Sequence, residues 1–160
     1  MPVLPVRFTL TAAAAVLALI SAGAADAAAQ ETASAPARPY NVVKSGDLSW
    51  TVDPEFHQLD HAVVMGNLRA AEHYVYRLRA NAPAELPLHT HGKTEYVTVL
   101  RGTLHHAPEG ADRSDARPCG EGCFIVIPAG RGHQAWLEPG TVLQIHGTGP
   151  VEAHEHPGSS

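Results

Sequence analysis

Two clusters of side chains in this 160-residue chain have the types and spacing that chemistry needs. The first is His89-Thr90-His91-Gly92-Lys93-Thr94-Glu95. Residues two apart on an extended strand leave the same face, so both imidazoles point one way. Glu95 keeps that parity after the short 92–94 excursion and can bring a carboxylate oxygen to where the rings converge. The second cluster is Gly122, five residues, then Pro128-Ala129-Gly130-Arg131-Gly132-His133. A strand over 123–127 ends in that Pro-x-Gly turn and sends His133 back on the next strand. In a sheet closed on itself, the return sets a third imidazole opposite the first two. Taken singly, each His reads as a hydrogen-bonded core or surface residue. Together, three neutral imidazoles and one carboxylate suit one divalent first-row metal (Fe, Mn, Ni, Cu or Zn), with coordination left for water or a small molecule.

The strands that must carry these groups are short runs rich in β-branched and aromatic residues: 48–52, 62–65, 73–78, 95–100, 124–127 and 141–146. Gly and Pro turn signals separate them, among them Gly66-Asn67, Arg101-Gly102 and Glu138-Pro139-Gly140. No window over 40–150 holds a helical apolar stripe with a cap and a stop. The chain is therefore expected to be all-β, a sandwich or barrel. Phe124-Ile125-Val126-Ile127 is apolar throughout, so one face is expected inside and the other against a second sheet or a partner chain. The polar 108–118 stretch reads as a hairpin loop, too short for a lid, which leaves the pocket open on one side.

The two clusters resemble the paired motifs of the cupin superfamily, in its single-domain bacterial, type-2-like form. His89, His91, Glu95 and Gly102 match the first motif, and Gly122, Pro128, Gly130 and His133 the second. Pro83 stands where the first motif has its leading Gly, and Leu137 where the second ends in Asn. Neither position is a ligand in the family, so the metal set is expected intact. The similarity spans about residues 66–149. It implies a conical, jelly-roll-like β-barrel (the double-stranded β-helix), usually a homodimer, with one metal inside the wide mouth.

Around the expected ligands, parity turns Val97 and Val99 inward and Tyr96 outward. Trp136 is open between pocket lining and outer packing. Gln134 and Gln144 are candidates for orienting a ligand imidazole, with exposed strand Gln as the alternative. His146 is the remaining candidate for the interior. His57, His61, His105 and His106 carry no ligand spacing, and His154-Glu155-His156 falls in the 151–160 stretch, read as a disordered tail.

Arg7, the uncharged run 8–20 and the small-x-small triplets from Ala22 to Ala29 have the layout of a secretory signal peptide over 1–29. Thirteen apolar residues make a helix of about 20 Å, too short for a hydrocarbon core of about 30 Å. Cleavage is expected to leave no stable membrane anchor. Residues 30–39 read as a flexible linker and 40–150 as the barrel. Export to a periplasmic or extracellular compartment favours a disulfide between Cys119 and Cys123, the only cysteines. The Gly-Glu-Gly insert can turn tightly enough for a bridge. A formal charge of −5 with no basic stripe removes the electrostatic footprint of a nucleic-acid binder.

The resulting expectation is an exported, metal-dependent enzyme acting on a small molecule. The family resemblance points to dioxygenase-like chemistry with a redox metal and isomerisation or hydrolysis with Zn. The alternative is a non-catalytic periplasmic barrel that binds or senses metal and a small ligand. Arg69, Arg77, Arg79, Lys93, Arg101 and Arg131 are scattered, which weakens a sugar-phosphate isomerase.

Overall fold

The computed structural model describes residues 40–155. The expected signal peptide and linker, and residues 156–160, lie outside the described residues. In chain order the strands are β1 (Thr51–Val52), β2 (Leu59–Met65), β3 (His73–Ala80), β4 (Ala84–His91), β5 (Glu95–Arg101) and β6 (Leu104–Pro108), then β7 (Arg117–Cys119), β8 (Phe124–Ile127), β9 (His133–Leu137), β10 (Val142–Thr148) and β11 (Ala153–Glu155). They form two antiparallel sheets, ordered β1-β2-β3-β10-β5-β8 and β11-β4-β9-β6-β7. The fold is all-β, as the turn-punctuated sequence predicts.

Alternation does the sorting. On β5, Val97 and Val99 are buried, while Tyr96 and Thr98 between them are only partly covered. On β10, Leu143 and Ile145 are buried in the same way. These side chains join Leu59 and Leu78 from the first sheet and Leu104, Ala135 and Leu137 from the second in one core. The central strands thus bury one face, and the sheets close on each other because neither can cover its apolar side alone. The β5–β6 turn requires glycine twice over. Gly102 has φ +78°, and a Cβ there would lie 2.7 Å from the Thr141 Cα.

Two features of the fold shape the site. Pairing between β4 and β9 runs Ala84 to Leu137, Leu86 to Ala135 and His89 to His133. Three steps on β4 answer two on β9, so β4 carries a bulge at Pro87-Leu88. Leu86 and His89 consequently face the same side despite opposite parity. A bulge is also where a strand tolerates proline. The second feature corrects, for the described residues 151–155, the sequence reading of 151–160 as a disordered tail. Residues Ala153–Glu155 form β11, paired with β4 so that Ala153 lies opposite His91 and Glu155 opposite His89. Polar composition hid this strand, whose backbone supplies an otherwise unpaired edge of β4.

Cys119 and Cys123 form a disulfide with Cα atoms 5.5 Å apart. It joins the end of β7 in one sheet to the approach of β8 in the other. With so short a loop, chain entropy limits its contribution to about 2 kcal/mol. Cys119→Ala/Cys123→Ala is therefore expected to lower unfolding stability in urea by about that amount and to leave the protein folded. A protein that no longer folds would refute this modest role.

Candidate metal centre

His89 and His133 face each other in register on neighbouring strands β4 and β9, with ring centroids 4.2 Å apart. His91, two residues along β4, has its ring 4.8 Å from that of His89 and 5.2 Å from that of His133. One nitrogen from each of the three rings lies within 4.8 Å of the others. The third imidazole therefore sits beside the first two in one sheet. The sequence expectation placed it opposite them, across the barrel. Glu95 arrives from β5 in the other sheet, and its Oε2 lies 3.4 Å from His91 Nε2.

Each ring is oriented by its own backbone contact. His89 Nδ1–H donates to the Pro87 carbonyl at 2.7 Å, the bulge carbonyl itself. His91 Nδ1–H donates to the Glu152 carbonyl at 2.9 Å, and His133 Nδ1–H to that of Arg131 at 3.1 Å. A carbonyl can only accept, so all three Nδ1 atoms hold a proton, and each ring in its neutral form presents its lone pair on Nε2. His91 Nε2 is buried without a hydrogen-bond partner. A buried imidazole lone pair left unsatisfied, with two more beside it and a carboxylate at hand, fits a divalent cation.

The electrostatics agree with that tautomer. Burial lowers the pKa of His89 and pushes His133 down to about 3, with the neighbouring imidazoles adding to the effect at His133. Both rings are neutral at pH 7 and have no proton to displace. Burial raises the Glu95 carboxyl above its ordinary range, against the opposing pull of His91. The consequence for stability has a definite sign. An unfolded His takes up a proton near pH 6.5, whereas folded His133 resists protonation to about pH 3. The metal-free protein is therefore expected to lose stability as pH falls from about 6.5 towards 3. His133 alone accounts for uptake of about one proton on unfolding at pH 5. Urea midpoints across that range test this, and the slope should flatten in His133→Gln. Glu95 acts with the opposite sign, and its contribution is lost as pH rises.

Four sequence candidates lie away from the centre: for Gln134, Gln144 and His146 this is a correction, and for Trp136 it decides in favour of outer packing. Gln144 and His146 alternate with buried Leu143 and Ile145, so they face the outside of the first sheet. Gln144 Oε1 accepts from Arg77 Nε and Nη2, both at 3.3 Å. His146 stacks on Tyr96 at 5.1 Å and 14°. Gln134 donates to the Ala111 carbonyl at 2.6 Å, which pins the 109–116 loop over the outer face of the second sheet. Trp136 packs under the same loop, with the Arg113 guanidinium 5.6 Å from its ring centroid. None of the four orients a ligand imidazole.

Two histidines set aside on spacing face inward. His106 lies opposite Ala135, on the side of β6 that carries buried Leu104, and its ring stacks 5.6 Å from that of His133. Its Nε2 is buried without a hydrogen-bond partner. Alternation from Leu104 was the signal for it. His61, opposite Leu78 on β3, lines a cleft of about 220 Å³ together with His89, His91 and Glu155. The rest of that cleft is mainly apolar, including Phe56, Leu59, Leu78 and Leu86.

No family model matches the sequence, and no curated protein does. Solved structures do. The polyketide cyclase RemF from Streptomyces resistomycificus superposes with TM-score 0.62 at 17% identity, over 76% of this chain and 89% of that one. An RmlC-like cupin from Shewanella frigidimarina gives 0.55 at 14%, over 69% and 93%. A cupin-2 domain from Rhodospirillum rubrum gives 0.55 at 14%, over 76% and 84%. The chain has the cupin fold. Its inward imidazole triad is a site that could hold a metal ion.

Proposed function

We propose that this chain is an exported, metal-dependent cupin enzyme acting on a small molecule. The observation that carries the reading is the set of three imidazoles whose Nδ1–H groups are all tied to backbone carbonyls, so that their Nε2 lone pairs are presented together. His89, His91, His133 and Glu95 would hold one divalent cation. When bound, such an ion supplies positive charge and open coordination for an oxygen donor, and with a redox metal a route to dioxygen. The protein supplies the rest. Backbone carbonyls hold the ring tautomers, and the apolar cleft beside His89 and His91 excludes water and receives a small organic body. Similarity to a polyketide cyclase supports an organic small molecule as substrate class.

Export belongs to the same reading, supported by the N-terminal residue pattern and the disulfide. So does a homodimer through the outer face of the first sheet, where Met65, Phe124 and Val126 are each more than half exposed. Sedimentation of the wild type and Phe124→Lys tests the dimer.

The decisive experiment is metal analysis of untagged protein, followed by oxygen uptake with each candidate metal against phenolic and thiol compounds. Uptake that disappears in His91→Ala supports the enzyme. Protein that retains no metal overturns the reading. Tight metal without turnover across the panel would make the barrel a binding or sensing module.

A further inference from the structure

The wall of the cleft formed by the first sheet carries a second chemical group. Asp53, just after β1, and His61, on β2, both line it. Asp53 Oδ1 accepts the backbone N–H groups of Glu55 and Phe56, each at 3.0 Å. That fixes the carboxylate and leaves Oδ2, which lies 3.8 Å from His61 Nδ1. This Nδ1 is buried and has no hydrogen-bond partner. A buried N–H without an acceptor is costly, and Asp53 Oδ2 is the acceptor that a small side-chain rotation would bring into range. Hydrogen bonds of this kind are commonly long before a ligand closes the site. Asp53 thus favours the tautomer with its proton on Nδ1, leaving the Nε2 lone pair for an occupant of the cleft. Glu155, on β11, is the other carboxylate lining this space, and partly buried Tyr76 lines it as well.

We propose that His61, oriented by Asp53, is the proton acceptor of this site. Its substrate class is a small carbonyl compound with a second oxygen donor beside the carbonyl and an apolar body, of which a branched 2-oxo acid is the simplest. The inference rests on the metal reading above, because the two oxygens are assigned to the triad end of the cleft. The apolar body lies against Leu59, Leu78 and Leu86, and the carbon next to the carbonyl meets His61. The step is a proton transfer. The C–H bond breaks, its proton goes to His61 Nε2, and the electron pair passes into the carbonyl to give an enolate. Return of a proton from the imidazolium restores the starting compound, so no oxidant or reductant is consumed.

The test uses Zn(II)-loaded protein, its metal content fixed first by mass spectrometry, with 3-methyl-2-oxobutanoate in D₂O. Exchange of the methine proton collapses the methyl doublet to a singlet in the proton NMR spectrum. His61→Gln is expected to slow exchange by about a hundredfold and Asp53→Asn by about tenfold. Zinc content and the half-saturating concentration of the acid should stay unchanged in both. Independently of turnover, the acid should protect His61 from carbethoxylation by diethyl pyrocarbonate, read by peptide mass spectrometry, while exposed His57 remains reactive. Zinc-bound wild type that exchanges no faster than buffer, equal exchange in His61→Gln, or an unprotected His61 would each overturn the assignment and leave the metal centre standing. Failure to bind zinc would instead remove the metal reading and this one with it.

Discussion

His91→Ala is expected to weaken divalent-metal binding by more than about a hundredfold. Loss of a partner that merely orients a ligand already costs about 10- to 100-fold, and here a lone pair itself is removed. His91 is the most exposing choice for physical reasons. Its Nε2 is buried without a hydrogen-bond partner, and Glu95 Oε2 stands 3.4 Å away. Without the imidazole, two histidines from adjacent strands and a carboxyl already biased towards its neutral form by burial remain. Calorimetric titration with Ni(II) and metal content after dialysis both read the loss. His146→Ala is the matched control, since its ring stacks on Tyr96 on the outer face and should leave affinity unchanged. Equal affinity in wild type and His91→Ala would remove the metal centre as described.

The largest effect on stability is expected from Leu143→Ala. Leu143 is 2% exposed and lies in register with Leu78 on β3 and Val99 on β5, so three adjacent strands contribute one packed row of the core. Truncating such a residue removes its transfer free energy and leaves a cavity that rigid sheet neighbours fill poorly, a cost of about 2–5 kcal/mol. Against a total stability of about 5–15 kcal/mol for a domain, that is a large fraction. Urea denaturation should show the midpoint fall with little change in slope. Val52→Ala, at a 55% exposed position on β1, should stay within about 0.5 kcal/mol of wild type. A Leu143→Ala loss no greater than that of Val52→Ala would show that the row is not the packed core.

The contrast between these residues marks where local pattern suffices. His89 and His91 are two apart on a strand, and period two guarantees a shared face wherever the strand ends up. Val97 and Val99 turn inward beside Glu95 for the same reason. The same rule speaks against Gln144 and His146, because apolar Leu143 and Ile145 claim the inner face of β10. An isolated polar residue in an apolar run invited a functional reading, and the burial of its neighbours decides otherwise.

The amino-acid sequence by itself determined that the described chain is strand and turn, that His89 and His91 share one face of a strand, and that Cys119 and Cys123 are close enough to join. These depend on alternation, turn chemistry and short separations. Tertiary structure alone decided that His133 pairs beside His89, that the Pro87 bulge keeps Leu86 and His89 on the same side, and that the chain entering β11 seats the Glu152 carbonyl on His91. It likewise decided that His61 lines the same cleft as His89 and His91. Each of these depends on which strand lies next to which. Pairing between segments tens of residues apart is set by how two sheets bury their apolar faces together, and local periodicity carries no record of it.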